Sequence, residues 1–540
     1  MSSCTDCSTP ERPWIEQLLN RRCYDHDVHE LKLIETHISW VILTGPYAYK
    51  IKKPVNLGFA DFSTLKRRKH FCEEELRLNR RLAPDIYLAV LPICANHDGL
   101  RFGDGDEVVD YAVKMRQFPQ SGLLTSLVEG GQLSPDHIDE LAALVADFHK
   151  RIACAETSSP HADPEQVHDP VSDNFAQIRP LVTDSRIRRR LDRMCAASDE
   201  MFRSVQRQIA VRGKAGKVRE CHGDMHLGNI ALVEDKITVF DGIDFNEGLR
   251  WIDVMSEIGL LIVDLEHHGR ADLAWRFLNR YLERTGDYAG MAVLPYYLAY
   301  RAMVRAKVTC LRQAQAGVTQ QERGELQRTF LAYLELAERY LRKPVSPVLL
   351  IMHGVSASGK STVGDLLAIN YGALRIRSDV ERKRIFADPP EYDNGTGIGL
   401  GLYSPVVTDL TYRRVYHLAE AVLRAGTSVI IDATFLNREH RNWFQELAPR
   451  LGAQFFILDV TAGVQTLRER ILARQHEGKD PSDAGLAVLE RQLESARSFE
   501  PGELPFVIHV DSETEAEPSA LLQKLDAAIS SSPQISRGAR

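Results

Sequence analysis

The chain has 540 residues, 44% of them hydrophobic and 26% charged, proportions that exclude a wholly disordered, collagen-like or membrane-dominated protein. At about 100–200 residues per domain, this length predicts roughly three structural lobes. A formal charge of −7 and a pI near 6.2 give no long-range positive field to gather DNA or RNA, so nucleic acid is open as a partner but not favoured.

Nine cysteines are scattered along the chain in the manner of reduced thiols, and the close pair Cys4 and Cys7 lacks the second pair or the histidines that zinc requires. The opening MSSCTDCSTPERPW has no basic stretch followed by an apolar one, and charges interrupt every long apolar run. A cytoplasmic protein without a membrane partner is expected.

From residue 12 to about 110 the pattern predicts a helix (IEQLLNRR) and strands SWVILTG and AYKIKKP around the turn Gly45-Pro46. The helical run TLKRRKHFCEEELRLNRRL follows. A small mixed sheet with one helix suits that order. Between about 120 and 343 the chain reads as mostly helical, with one strand-like insertion, NIALVEDKITVFD, and a last helix that stops at Pro344.

Just before that insertion stands His222-Gly223-Asp224-Met225-His226-Leu227-Gly228-Asn229. A loop Asp can accept a hydroxyl proton, and an Asn five residues later can ligate Mg²⁺ beside it, as in the catalytic loop of kinases. Asp241, at the end of the following hairpin, supplies a second metal carboxylate, with Asp244 as its rival.

This half of the chain resembles the aminoglycoside phosphotransferase family, with its choline kinase and fructosamine kinase relatives and a protein-kinase-like bilobal fold. The resemblance implies Asp224 as catalytic base, Asn229 and Asp241 as Mg²⁺ ligands, and Asp253 as a brace of the catalytic loop. It also implies a strand lysine for the nucleotide phosphates. Tyr47-Ala48-Tyr49-Lys50 points to Lys50, with Lys52 on the same face as the alternative. Glu75 would pair with Lys50, while Glu73 and Glu74 would face solvent. YAVKMRQFP, residues 111–119, corresponds to the strand and hinge against which adenine stacks. No G-x-G-x-x-G precedes Lys50, leaving only Gly45 to cover phosphates. The segment 120–215 lacks the acidic cluster that a polycationic aminoglycoside would need, so the acceptor stays unread.

Pro344-Val345-Ser346-Pro347 reads as a short stiff linker, and beyond it strands of Val, Ile and Leu alternate with helices, predicting a parallel sheet covered on both faces. Gly354-Val355-Ser356-Ala357-Ser358-Gly359-Lys360-Ser361 fits G-x-x-x-x-G-K-[ST] between a strand and a helix. Its backbone N–H groups and the helix N-terminus suit a phosphate. Gly354, Ser356, Ser358, Gly359, Lys360, Ser361 and Thr362 form the expected nucleotide loop. Lys360 would reach the β- and γ-phosphates, and the Ser361 hydroxyl would ligate Mg²⁺. Asp432, ending TSVIIDATF, would hold the Mg²⁺ shell. Asp379, after the second strand, suits a general base and Arg382 an anion clamp; the plainer alternative is an N-cap Asp on a solvated basic helix. Arg470 and Arg474, four apart in LRERILARQ, could close over the transferring phosphate or form a solvated charged face.

Residues 345 to about 530 resemble the small P-loop kinases that group gluconate kinase, the kinase part of polynucleotide kinases, chloramphenicol phosphotransferase and zeta toxins. The resemblance implies Asp379 as base, Arg382 as substrate clamp, and Arg470 with Arg474 as lid. The fold expected is an α/β and α+β multidomain chain. Residues 1–343 would be a kinase-like domain, its small lobe about 12–115 and its helical large lobe about 120–343; residues 344–530 would be a P-loop domain and 531–540 a disordered tail. Its expected function is that of an ATP- and Mg²⁺-dependent bifunctional phosphotransferase with small-molecule hydroxyl acceptors. The alternative makes one lobe a nucleotide-binding regulator and the P-loop domain a polynucleotide 5′-hydroxyl kinase or a zeta-like nucleotide-sugar kinase.

Overall fold

Alternation along strands decides which side chains meet in the N-terminal sheet. The computed structural model describes residues 12–531 other than 59, 98, 316, 343–345, 387–403, 478–484, 496–497 and 516. Cys4 and Cys7, Pro344 and Val345 of the junction, and the tail from 532 lie outside the described residues. Two compact units form: Met1–His137, Asp147–Gln166 and Arg212–Asp264 in one, Ile138–Ala146, Val167–Val211 and Leu265–Arg540 in the other.

In the first unit, β1 (Lys32–Glu35), β2 (Ser39–Leu43), β3 (Tyr47–Lys52), β4 (Tyr87–Asn96), β5 (Gly99–Phe102) and β6 (Glu107–Arg116) make a six-stranded antiparallel sheet in the order β1-β2-β3-β6-β4-β5. Tyr49 and Ile51 of β3 pack with Trp40, Ile42 and Phe102 on one face. The period of two therefore sends Lys50 and Lys52 together to the other face, toward the helix Leu65–Asn79. Thr64 caps that helix by accepting the Arg67 N–H, and Cys72 on its inner side packs with Tyr87 and Val113. The expected N-terminal helix is shorter than its apolar run: it ends at Gln17, and Asn20 caps a separate 3₁₀ turn over Arg21–Cys23.

The remaining strands of this unit are two short pairs. β7 (Val218–Glu220) pairs with β10 (Trp251–Asp253), and β8 (Ile230–Val233) with β9 (Lys236–Val239). The second pair is the expected insertion, and its ends carry the site loops.

The second unit holds a five-stranded parallel sheet. Its strands β11 (Val348–His353), β12 (Leu374–Arg377), β13 (Val429–Asp432), β14 (Gln454–Thr461) and β15 (Val507–Asp511) run in the order β12-β13-β11-β14-β15. Leu350, Met352, Ile430, Phe456 and Leu458 form its core with Val363 and Leu367 of the helix Lys360–Leu367, which is why these strands read as unbroken apolar runs. β12 is an edge strand, and the helix Ala271–Thr285 covers it. Asn279 Nδ2 donates to the Ala373 carbonyl at 3.0 Å and its Oδ1 accepts the Arg375 N–H at 2.8 Å, so one side-chain amide replaces a rung of the ladder. Among the described residues no helix is long and apolar enough to cross a membrane.

Candidate functional sites

The N-terminal site is built on a shared carboxylate. Glu75, on the helix Leu65–Asn79, gives Oε1 to Lys50 Nζ at 2.8 Å and Oε2 to Lys52 Nζ at 2.7 Å. Lys50 also meets Asp241 Oδ1 at 2.6 Å, and Lys52 meets Asp244 Oδ2 at 2.5 Å. Burial works against the charge on Glu75, but the two ammonium groups outweigh it and hold its carboxyl down at about 2. Lys52 and Asp244 are nearly inaccessible, whereas Asp241 has 46% of its side chain exposed. The accessible pair is therefore Lys50 with Asp241, and Lys52 with Asp244 forms a buried second tier behind it. Glu74 pairs with Arg77, and Glu73 is exposed beside Lys69.

Asp241 has a left-handed backbone, φ 61°, held from two sides: its N–H donates to Tyr87 Oη at 3.1 Å and the Gly242 N–H to Asn79 Oδ1 at 2.8 Å. Asn79 lies one turn after Glu75, so a single helix face fixes both ends of this constellation. In the loop before β8, Asn229 Nδ2 donates to Asp224 at both the main-chain oxygen (3.0 Å) and Oδ2 (3.2 Å). Asp224 itself is 43% exposed. Asp224, Asn229 and Asp241 supply hard oxygen donors of the kind Mg²⁺ takes.

The brace expected of Asp253 falls instead to Glu257. Asp253 is ion-paired with Arg212 at 2.7 Å and accepts the Met255 N–H. Glu257, one turn into the next helix, accepts the N–H groups of His222 (2.8 Å) and Gly223 (3.0 Å). The pair WID and SEIG contains both acids, and only the register of the helix start separates them. Asp264, a further two turns on, accepts the Leu227 N–H at 2.9 Å. In the β2–β3 turn Gly45 has φ 99°, and its N–H is taken by Gln117 Oε1 at 3.1 Å.

In the second unit the loop 354–359 leaves β11 and enters the helix Lys360–Leu367. Gly354 has φ 140°, and a Cβ there would stand 2.4 Å from the Val460 carbonyl, so glycine is required by space as well as by conformation. Lys360 Nζ curls back onto the loop, donating to the Val355 carbonyl at 2.6 Å beside Ser358 Oγ. The Ser356 N–H meets Gln492 Oε1 at 2.7 Å. Arg470 reaches the same loop from the helix Val464–Glu477, donating to the Ala357 carbonyl at 3.3 Å and to Ser512 Oγ at 2.9 Å. The side chain of Arg474 lies outside the described residues.

Asp432 ends β13 in the strand next to the loop, and its buried Oδ2 has no hydrogen bond. A buried carboxylate oxygen so placed fits a divalent cation. Asp379 sits in the first turn of the helix Ser378–Ile385, and Arg382, one turn on, pairs with it at 2.8 Å. Asp379 does not cap the helix: Arg377 occupies the N-cap position and makes no side-chain cap. Sequence reasoning missed Arg375. Its Nη1 donates to the Ser361 carbonyl at 2.7 Å, while its Nη2 lies 3.3 Å from Asp365. Two arginines alternating with apolar residues in the strand LRIR were the signal available.

Residues 349–499 match the family described as AAA domain. Over 485 residues, 87% of this chain and 93% of the relative, the chain is 29% identical to "Uncharacterized protein Rv2004c" of Mycobacterium tuberculosis, and equally to "Uncharacterized protein Mb2027c" of Mycobacterium bovis. Among solved structures it is similar to a gluconokinase from Sinorhizobium meliloti 1021, with 21% identity, 34% of this chain and 92% of that chain covered, and a TM-score of 0.25. A choline/ethanolamine kinase family protein from Mesorhizobium loti gives 14% identity, 59% and 92% coverage and a TM-score of 0.35. The AAA domain match lies over four of the five strands of the parallel sheet, β11 to β14, and takes in the loop 355–359 and the helix Lys360–Leu367.

Proposed function

We propose that the chain is an ATP- and Mg²⁺-dependent cytoplasmic enzyme with two separate nucleotide sites, each transferring phosphate to a hydroxyl of a small-molecule acceptor. The observation that supports this reading is that each unit carries a lysine and acidic side chains of the kinds phosphoryl transfer uses. Lys50, Asp241 and Asp224 stand in one; Lys360, Asp432 and Asp379 stand in the other.

In the first site Lys50, oriented by Glu75, binds the nucleotide phosphates. Asn229 turns the Asp224 carboxylate, which accepts the proton of the acceptor hydroxyl as the hydroxyl oxygen bonds to the γ-phosphorus and the bond to the ADP oxygen breaks. Bound Mg²⁺, held by Asn229 and Asp241, would neutralise phosphate charge. In the second site the loop N–H groups cradle phosphate, and the Lys360 ammonium exchanges the Val355 carbonyl for phosphate oxygens. Asp379 accepts the hydroxyl proton, Arg382 binds an anionic part of the acceptor, and Arg470 stabilises the transferred phosphoryl. Ser361 and Asp432 would hold Mg²⁺ there.

The test is phosphorylation of a metabolite extract with labelled ATP by the wild type and by Asp224→Ala and Lys360→Ala. Each variant should lose some labelled products and keep the others. Labelled products that survive both substitutions together would contradict the reading.

A further inference from the structure

The outer half of the nucleotide loop takes a conformation that its own sequence disfavours. Ala357 has φ 64°, in the left-handed region where a Cβ crowds the following carbonyl, so an alanine there needs support from its surroundings. Within the loop, the Ser358 N–H closes a turn onto the Val355 carbonyl at 3.3 Å. Further support comes from the two helices that follow β14.

Leu467 and Ile471 of the helix Val464–Glu477 and Leu489 of the helix Leu486–Ser495 form a small buried cluster, and Val355 and Ala357 pack against it. Each helix adds a polar contact to the loop, and the two contacts bracket the left-handed residue. Gln492 Oε1 accepts the Ser356 N–H at 2.7 Å, and Arg470 donates to the Ala357 carbonyl at 3.3 Å. Leu489 and Gln492 are three apart on one helix, so the face that packs into the cluster also brings the amide to the loop. Ser356 is buried, which makes the loss of that acceptor costly.

We propose that Gln492 is a positioning residue for the P-loop site: by taking the Ser356 N–H it holds the loop, with Ala357 left-handed, in the shape that receives the outer phosphates of a nucleotide. This rests on the reading of the loop 354–359 as a phosphate cradle. The Ser356 N–H is then committed to the protein, and the other loop N–H groups and Lys360 meet the nucleotide. With Gln492 truncated, Ala357 relaxes toward ordinary backbone angles, and the nucleotide has to restore the shape as it binds.

The experiment uses the full chain carrying Lys50→Ala, so that the P-loop site alone is read. Affinity for a non-hydrolysable ATP analogue with Mg²⁺ is measured by calorimetric titration, and the urea midpoint is taken alongside. Gln492→Ala should weaken the analogue on the order of tenfold. Ala357→Gly removes the cost of the left-handed backbone; alone it should bind close to its parent, and added to Gln492→Ala it should restore most of the lost affinity. The double variant still leaves the Ser356 N–H without its acceptor, so any drop in urea midpoint should persist while affinity recovers. Unaltered affinity in Gln492→Ala overturns the proposal. So does tighter binding, which would make Gln492 a competitor of phosphate, and so does a loss that Ala357→Gly fails to reverse. Lys360→Ala separates the two readings: if it leaves the analogue bound in this background, the phosphate role of the loop itself falls.

Discussion

Lys50 and Lys52 show how closely residue chemistry follows strand geometry. Two lysines two positions apart must share a face, and one buried glutamate can serve both because each of its oxygens takes one ammonium. The motif reading singled out Lys50, Glu75, Asp224, Asn229 and Asp241, and the structure sets Lys50 against Glu75 and Asp241 and Asn229 against Asp224. Glu257, Asn79 and Arg375 were not legible, because each acts on a backbone group or carboxylate far away in the chain. A pH consequence follows at this scale. His149, buried with Arg219 nearby, is pushed by burial and by that cation from an ordinary 6.5 to about 3, and burial lowers His222 as well. Both are neutral in the folded chain and take up protons when it unfolds below about pH 6.5. Their contribution to stability is complete above that pH and lost as the pH falls toward 3. The urea midpoint should drop between pH 7.5 and 5, and His149→Gln should flatten that slope; an equally steep slope in the variant would argue against the assignment.

At the scale of elements, the helix Leu65–Asn79 organises the first site from one face, through Glu75 toward the lysines and Asn79 toward Gly242. Asn79→Ala leaves a buried N–H without its acceptor and should cost about 1–3 kcal/mol by urea denaturation. The parallel strands β11, β13 and β14 were readable from their Val, Ile and Leu runs. β15 was harder: it is an edge strand in which VIHVD is only partly buried, so its sequence carries a mixed pattern. Proline misled little. Pro170 stands within the helix Pro164–Ile178, where it lies two turns from the start and the chain continues around it.

For the molecule as a whole, the junction at Pro344 marks a change of sequence pattern, whereas compactness groups the helices from Leu265 onward with the P-loop sheet. The pattern change reflects local periodicity. The grouping depends on contacts such as those of Asn279 and Arg280, which no window of sequence reveals. A chain cut to residues 346–531 exposes the edge of β12 and strips Asp365 and Arg375 of partners from the preceding helix. It should aggregate more readily and melt at a lower temperature than a chain beginning at 265; equal melting temperatures would show that the covering helix contributes nothing to the sheet.

Two self-contained sites in one chain is the central claim, and nucleotide stoichiometry tests it most directly. Calorimetric titration of the full chain with a non-hydrolysable ATP analogue and Mg²⁺ should give two molecules bound per chain. Lys360→Ala or Lys50→Ala should each reduce this to one, and the double variant should abolish binding. A single molecule bound by the wild type, or a stoichiometry that one of these substitutions leaves untouched, would contradict it.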